Sequence, residues 1–353
     1  MTDIKITPTT ASRFKEVDLS KLEFGKYISD HMLVAEYSNG AWHQPEIIPY
    51  GDMVMNPAML SLHYGQSVFE GMKAYRMHDG NISVFRMKKH HERMNKSLAR
   101  MCMPAIPEEI FINGLVELLK LDNQWIPAGD GASLYIRPLA FATENRLGVK
   151  VSEKYKFIIM TSPVGPYYAK PLKLKVETTY VRAAEGGVGF AKCAGNYGAS
   201  FYPTQKAKEE GFDQVLWTDA KEHKYIDESG TMNIMFVLDH KLITPPLSTA
   251  ILDGITRDSI LTLAREMNFP TDLHRISVNE LKQGFEMGWL TEAFGAGTAA
   301  VVAPVASISI EGEAFELPAL TEDSFMMKAK KKLSSIRLGL EPDVFDWNYI
   351  IKC

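Results

Sequence analysis

From Ala293 to Ile310 the chain runs eighteen residues without a charge. That is long enough for a membrane-spanning helix. The composition argues otherwise: FGAGTAAVVAPVASISI is built largely of Gly, Ala and Ser, with Pro304 inside it. Small residues and an internal proline suit buried loops and strands, so we read this stretch as protein interior. The rest of the chain can supply a core around it. Of 353 residues, 46% are hydrophobic and 23% charged, as in soluble globular proteins. The length implies about two to three domains and needs no disulfide or metal to hold it. Lys and Arg number 39 and Asp and Glu 43, a net charge of −4. That balance speaks against nucleic-acid and anionic-membrane partners, and against disorder. Cys102, Cys193 and Cys353 show no paired spacing, which fits a reducing compartment. The first residues, MTDIKITPTTASRFKEVD, have no apolar segment and carry Asp3, Glu16 and Asp18, unlike a signal or transit peptide. A cytoplasmic protein is expected.

The pattern along the chain mixes helices and strands without regular βαβ alternation and shows no internal repeat. His31–Tyr37, Ile82–Arg86, Leu134–Thr143 and Tyr155–Thr161 read as strands. Lys88–Met101 reads as a helix with Met94, Leu98 and Met101 on one side and its Lys, His, Glu and Arg on the other. Pro107 opens a further helix. Ser162–Pro171 is dense in Pro and Gly and reads as a linker. Beyond it, Leu172, Leu174 and Val176 alternate with charged residues as a half-buried strand. A strand follows at Gln214–Thr218. Asp239-His240 separates two β-rich runs as a tight hairpin. The helix after Gly254 begins near Ile255-Thr256. These readings give an α+β fold of two mixed α/β domains: a small N-terminal domain over 1–165, a linker and strand entry over 166–180, and a large C-terminal domain over 181–353.

Three segments suggest chemistry. In Gly186–Gln205 the lone charge is Lys192, set in a Gly-rich run. A lysine with little water around it more readily offers a neutral, nucleophilic amine, and glycines let backbone approach a ligand closely. A Schiff-base lysine fits this setting, against the plain alternative of a solvent-reaching lysine beside a loop. In YIDESGTMN, Asp227 and Glu228 precede a strand; one of them can face a cofactor nitrogen while the other points away. The bland alternative is a polar turn. The helix start after Gly254 and the loop Gly295–Ala299 could both present amides to an anion, with Thr298 adding a hydroxyl. That loop also matches G-x-G-x-x-A, but the dinucleotide motif needs a helix next, and Val301-Val302 and Pro304 follow instead. A nicotinamide-dependent oxidoreductase is therefore disfavoured. His90-His91-Glu92 lacks a metal-ligand spacing and sits on the charged helix face.

The ordered strings FGKYISDHM, LHYGQSVFEGMKAYR, FRM, LYIRP, GGVG, AGNYGAS, DESGTMN, TPPL, ILDGITR and FGAGTA resemble the branched-chain amino-acid aminotransferases, fold type IV of the pyridoxal-phosphate enzymes. The similarity runs from about Phe24 to Val305 and is nearest to the longer, eukaryote-like form. It implies two domains with pyridoxal 5′-phosphate between them. It implies reversible, ping-pong transamination of L-leucine, L-isoleucine and L-valine with 2-oxoglutarate through a Lys192 Schiff base. By the same resemblance Tyr197 hydrogen-bonds the ring oxygen and Glu228 faces the pyridine nitrogen. Arg86, Arg182, Leu252, Ile255, Thr256, Gly297 and Thr298 hold the rest of the cofactor, mainly its phosphate. Phe24, Tyr64, Phe69, Tyr135, Tyr167, Thr231, Thr298 and Ala299 line the substrate pocket, where aromatic walls favour aliphatic side chains. Arg137 is a candidate for the co-substrate's carboxylates or for a structural ion pair. A homodimer is implied, one subunit's loop closing the other's pocket.

The sequence departs from the eukaryotic pattern at Ala300-Val301-Val302-Ala303, where those enzymes carry a CxxC pair, so redox switching there is not expected. Ala194 stands where the family often has glycine. The alternatives on the same fold are a D-amino-acid aminotransferase and an aminodeoxychorismate lyase.

Overall fold

A computed structural model describes residues 4–129, 131–165, 170–299 and 301–353. The chain forms two compact units. The first comprises Met1–Tyr167, Ala191–Ala194 and Ser334–Cys353; the second comprises Tyr168–Phe190 and Gly195–Leu333. Ala191–Ala194 and the last twenty residues thus pack with the N-terminal part, although sequence order groups both with the C-terminal part.

The first unit is built on one sheet. Its strands are β1 (Lys5–Ile6), β2 (His31–Ser38), β3 (Ala41–Trp42), β4 (Glu46–Pro49), β5 (Ser67–Phe69), β6 (Met72–Arg76), β7 (Ile82–Phe85), β8 (Ser133–Ala142), β9 (Tyr155–Val164) and a last strand, Asn348–Ile351. The main order is β1-β4-β2-β9-β8-β6-β7, then the last strand; β3 pairs with β2 and β5 with β8. The long antiparallel pair β8–β9 matches Ser133 with Val164 and continues to Ala142 with Tyr155. Because residues paired across strands share a face, Phe69, Lys73, Tyr135 and Arg137 stand on one side of the sheet. Leu33, on the other side, meets α3 (Gly114–Leu121), where a side chain at Gly114 would collide with it. The short α1 (Leu60–Tyr64) and the longer α2 (Met87–Arg100) complete the unit's main helices.

The helix expected at Lys88–Met101 is α2, but its polar side is not all solvated. His90 and Arg93 are buried along with Met87, Met94 and Leu98. Local periodicity could not show this, because what draws them inward is a carboxylate distant in sequence, Glu70.

The second unit carries β10 (Leu172–Glu177), β11 (Gln214–Thr218), β12 (Ile226–Ser229), β13 (Met232–Leu238), β14 (Lys241–Ile243), β15 (Thr271–Asp272), β16 (Leu290–Gly297), β17 (Val301–Ile310) and β18 (Glu313–Glu316); the first unit's last strand is β19. The order β12-β11-β10-β17-β16-β13 is closed by a further β12–β13 pairing, so six strands form a ring. Closure leaves none of the six with an open edge. Leu172, Leu174, Leu216, Ile234, Phe236 and Ile308 belong to its core. The uncharged Ala293–Ile310 stretch supplies parts of two neighbouring ring strands, β16 and β17, and no helix among the described residues is long and apolar enough to cross a membrane. Asp239 and His240 both have positive φ, 48° and 58°, as a two-residue hairpin turn requires. The helices α4 (Ala194–Glu209), α5 (Ile255–Glu266), α6 (Val278–Glu286) and α7 (Phe325–Leu338) follow in order. A capping box at Ser277 and Glu280 starts α6.

Candidate active site

Lys192 lies in the four-residue segment that joins the first unit. Its carbonyl accepts a hydrogen bond from the Phe69 amide at 3.0 Å. Its own amide donates to Ser97 Oγ at 2.9 Å. Cys193 continues the contact by an antiparallel bridge to Val68. The half-buried Lys192 side chain brings its ammonium to 4.8 Å from the Phe69 ring centroid.

The same ring carries a second cation. The Arg137 guanidinium stands 4.7 Å from the Phe69 centroid and 5.2 Å from that of Tyr135, and donates to the Tyr135 hydroxyl at 3.0 Å. Phe24 meets Tyr135 edge to face at 4.9 Å. Gly71 makes room for this arrangement, since a Cβ there would sit 2.1 Å from the Tyr135 hydroxyl. Phe24, Phe69, Tyr135, Arg137 and Lys192 therefore gather on one face of the sheet. Tyr64 does not join them. It is 43% exposed at the end of α1, and its hydroxyl donates to the Leu147 carbonyl. Tyr167 lies outside the described residues. Arg86 adopts a left-handed backbone just before α2, its amide donates to the Trp347 carbonyl, and its guanidinium lies 5.4 Å from the Trp347 ring.

In the second unit the two neighbouring carboxylates part, as strand geometry requires. Glu228 is 3% exposed and Asp227 partly exposed. Both Glu228 oxygens are engaged. Oε1 accepts from Asn233 Nδ2 at 2.8 Å and from the Leu252 amide at 3.3 Å; Oε2 lies 2.7 Å from the Arg182 guanidinium. Arg182 also donates to the carbonyls of Gly189 and Ala250. It thus grips the carboxylate expected to face the pyridine nitrogen. Burial, helped by the like charge of Asp219, pushes the Asp227 carboxyl up to about 6.

Asn233 was not singled out from the sequence, although it ends the DESGTMN string. Its amide donates to the Leu252 carbonyl as well as to Glu228. Cross-strand pairing explains its place: Asn233 is opposite Glu228 on β12 and Ala296 on β16. Gly254 is required beside it, since a Cβ there would stand 1.8 Å from Asn233 Oδ1. The same glycine precedes α5 without a side-chain cap, and the buried Ile255 and Thr256 open that helix. Leu252 thus links the carboxylate site to an anion-ready helix start. Tyr197 is half-buried near the start of α4. Thr231 is exposed at the β12–β13 turn, and Gly297, Thr298 and Ala299 are half-buried where β16 gives way to β17. Two strands flank the GAGTA loop, with no helix after it, which removes the dinucleotide-binding reading.

A family model for amino-transferase class IV matches residues 67–308. Branched-chain-amino-acid transaminase 1 of Bacillus subtilis (strain 168) is 46% identical over 335 residues, 94% of each chain. The branched-chain-amino-acid aminotransferase of Mycobacterium tuberculosis (strain CDC 1551 / Oshkosh) is 40% identical over 351 residues, 97% of this chain and 95% of its own. The crystal structure of a branched-chain aminotransferase from Thermoproteus uzoniensis with norvaline matches with a TM-score of 0.76 and 25% identity, covering 91% of this chain and 100% of that one. The Escherichia coli branched-chain amino acid aminotransferase gives 0.74 and 26%, covering 92% and 99%. The chain belongs to the amino-transferase class IV family, among its branched-chain-amino-acid aminotransferases.

Proposed function

We propose that the protein moves an amino group reversibly between L-leucine, L-isoleucine or L-valine and 2-oxoglutarate, with pyridoxal 5′-phosphate as its cofactor. The observation that carries this reading is the grip on Glu228. A buried carboxylate held on both oxygens, and joined through Leu252 to a helix start that has no side-chain cap, fits a ligand with a ring nitrogen and a phosphate. When bound, the cofactor supplies an electron sink for the bond-breaking at the substrate's Cα.

The protein's own residues do the rest. Lys192 would hold the cofactor through its amine and, when that amine is free, would take the proton from the substrate Cα as general base and pass it to the cofactor rather than back to Cα. Glu228 would face the ring nitrogen and favour its protonated form, and Arg182 with Asn233 keeps that carboxylate in place. Ile255, Thr256 and Thr298 would hold the phosphate together with Arg86, and Tyr197 would hold the ring oxygen. Phe24, Phe69 and Tyr135 favour an apolar substrate side chain. Arg137, with no carboxylate within ion-pair distance among the described residues, is assigned to a carboxylate of 2-oxoglutarate.

We assign Tyr64 to the pocket of a partner subunit in a homodimer, which accounts for its exposure here. A cytoplasmic setting agrees with three cysteines that form no disulfide among the described residues.

The test is spectroscopic and kinetic. Pure protein loaded with cofactor should show a visible band that L-leucine bleaches and 2-oxoglutarate restores. L-leucine should turn over far faster than D-alanine, and aminodeoxychorismate should give no pyruvate. The reverse preference would replace this reading by a D-amino-acid aminotransferase or a lyase on the same fold, readings that the relatives at 40% to 46% identity do not favour.

A further inference from the structure

Lys192 is closed into a loop of contacts that reaches well beyond its neighbours in sequence. Its amide donates to Ser97 Oγ at 2.9 Å. That hydroxyl donates to the Arg93 carbonyl at 3.1 Å, one helical turn back on α2. The Arg93 guanidinium holds Glu70 with two hydrogen bonds, Nε to Oε1 at 2.7 Å and Nη2 to Oε2 at 2.8 Å. Glu70 is joined by its peptide bond to Phe69, and the Phe69 amide donates to the Lys192 carbonyl at 3.0 Å. The path returns to its start. Ser97 and Glu70 are fully buried and Arg93 is 6% exposed. His90 braces the same carboxylate at 2.9 Å, and the Gly71 amide donates to it as well. Burial alone would raise the Glu70 carboxyl, but the Arg93 guanidinium and His90 outweigh it and hold the group far below the usual carboxylate range. The Arg93 guanidinium and His90 thereby favour the charged carboxylate that closes the loop.

Nothing in general helix or strand packing requires this circuit. Buried ion pairs contribute little net stability, whereas a planar two-point Arg–carboxylate contact fixes direction. We infer that Glu70, Arg93 and Ser97 are positioning residues for Lys192: they fix its main chain on both sides, so that the amine is presented at one place. This inference rests on Lys192 being the residue that holds the cofactor. Its physical basis is effective concentration. An amine held at the right point recaptures the cofactor's carbonyl carbon faster than a competing amine can take it.

The experiment measures that competition directly. Hydroxylamine, added to the cofactor-loaded protein, forms the oxime and frees the Lys192 amine, and loss of the visible band gives the rate. Ser97→Ala removes the acceptor for the Lys192 amide and should speed displacement about tenfold. Ser97→Cys, of similar size but a weaker acceptor, should fall between Ala and wild type. Met94→Ala, a core truncation on the same helix, should lower the melting temperature yet leave the displacement rate within about twofold of wild type.

A Ser97→Ala protein that reacts at the wild-type rate overturns the inference. So does a Met94→Ala protein that reacts as fast as Ser97→Ala, since loosening of the fold would then explain both. Should Ser97→Ala not fold, Ser97→Cys decides alone: faster displacement supports the circuit and a wild-type rate refutes it. The functional reading fails separately, through a wild-type protein with no visible band or a Lys192→Ala protein that keeps it.

Discussion

The two groups at the centre of the proposed chemistry are held in opposite ways. Lys192 is fixed by its main chain, through the Phe69 amide and Ser97 Oγ, several bonds away from the amine. Glu228 is fixed by its head, each carboxylate oxygen engaged by a named donor. The difference matches their work. A group that bonds, lets go and carries a proton needs a firm base and a long arm. A group that holds one proton at one nitrogen must not move at all.

Removing the lysine arm gives the largest expected effect. Lys192→Ala should lower turnover at least about 10⁴-fold while leaving the urea midpoint nearly unchanged, because the main-chain anchors stay. A large drop in that midpoint would show the side chain to be part of the fold and would break the comparison. Arg182→Met strikes the other kind of anchor. It leaves Glu228 buried without its guanidinium and should cost about 3–5 kcal/mol, read from urea unfolding. Glu228→Gln keeps the shape and removes the charge. It should slow Cα proton removal about 100-fold in single-turnover mixing with L-leucine, with the cofactor still bound. An unchanged rate would pass the nitrogen-facing role to Asp227 or another group.

Asp227 gives the smallest effect and a check on strand geometry. Its carboxyl, at about 6 in the fold against 3.8 unperturbed, binds a proton more tightly folded than unfolded. Stability should therefore fall as pH rises from about 4 to about 6, and the deficit should be complete above that window. Asp227→Asn should remove the deficit, gaining about 1–2 kcal/mol at pH 7 with little change near pH 4. Urea midpoints at the two pH values read this out. An equal gain at both would mean that the charge is not the cause.

Much of this molecule could be read without its structure, and the boundary is instructive. A lone charge in a glycine-rich run marked Lys192, and alternation of facing marked one of Asp227 and Glu228, because both signals are local. Periodicity gave α2 but misplaced His90 and Arg93, since the carboxylate that buries them precedes α2 by two strands in the sequence. Asn233 was hidden for a similar reason. Its role depends on Leu252 and Gly254, which reach it from the segment just before α5. The uncharged Ala293–Ile310 segment was correctly placed in the interior, but the closed ring to which it belongs is a long-range pairing that no local pattern encodes.

The path of the chain also limits how such a protein can change over generations. Neither unit is a continuous stretch: the N-terminal one needs Ala191–Ala194 and the last twenty residues to be whole. A gene fusion or recombination event at the junction of residues 167 and 168 would deliver a first unit without its Lys192 segment and without β19, the strand that pairs with β7. Exchange between related genes at that seam would therefore draw the Lys192 segment and β19 of the first unit from the other parent. The lysine and the residues that clasp its main chain lie on opposite sides of that seam, so they must match across it.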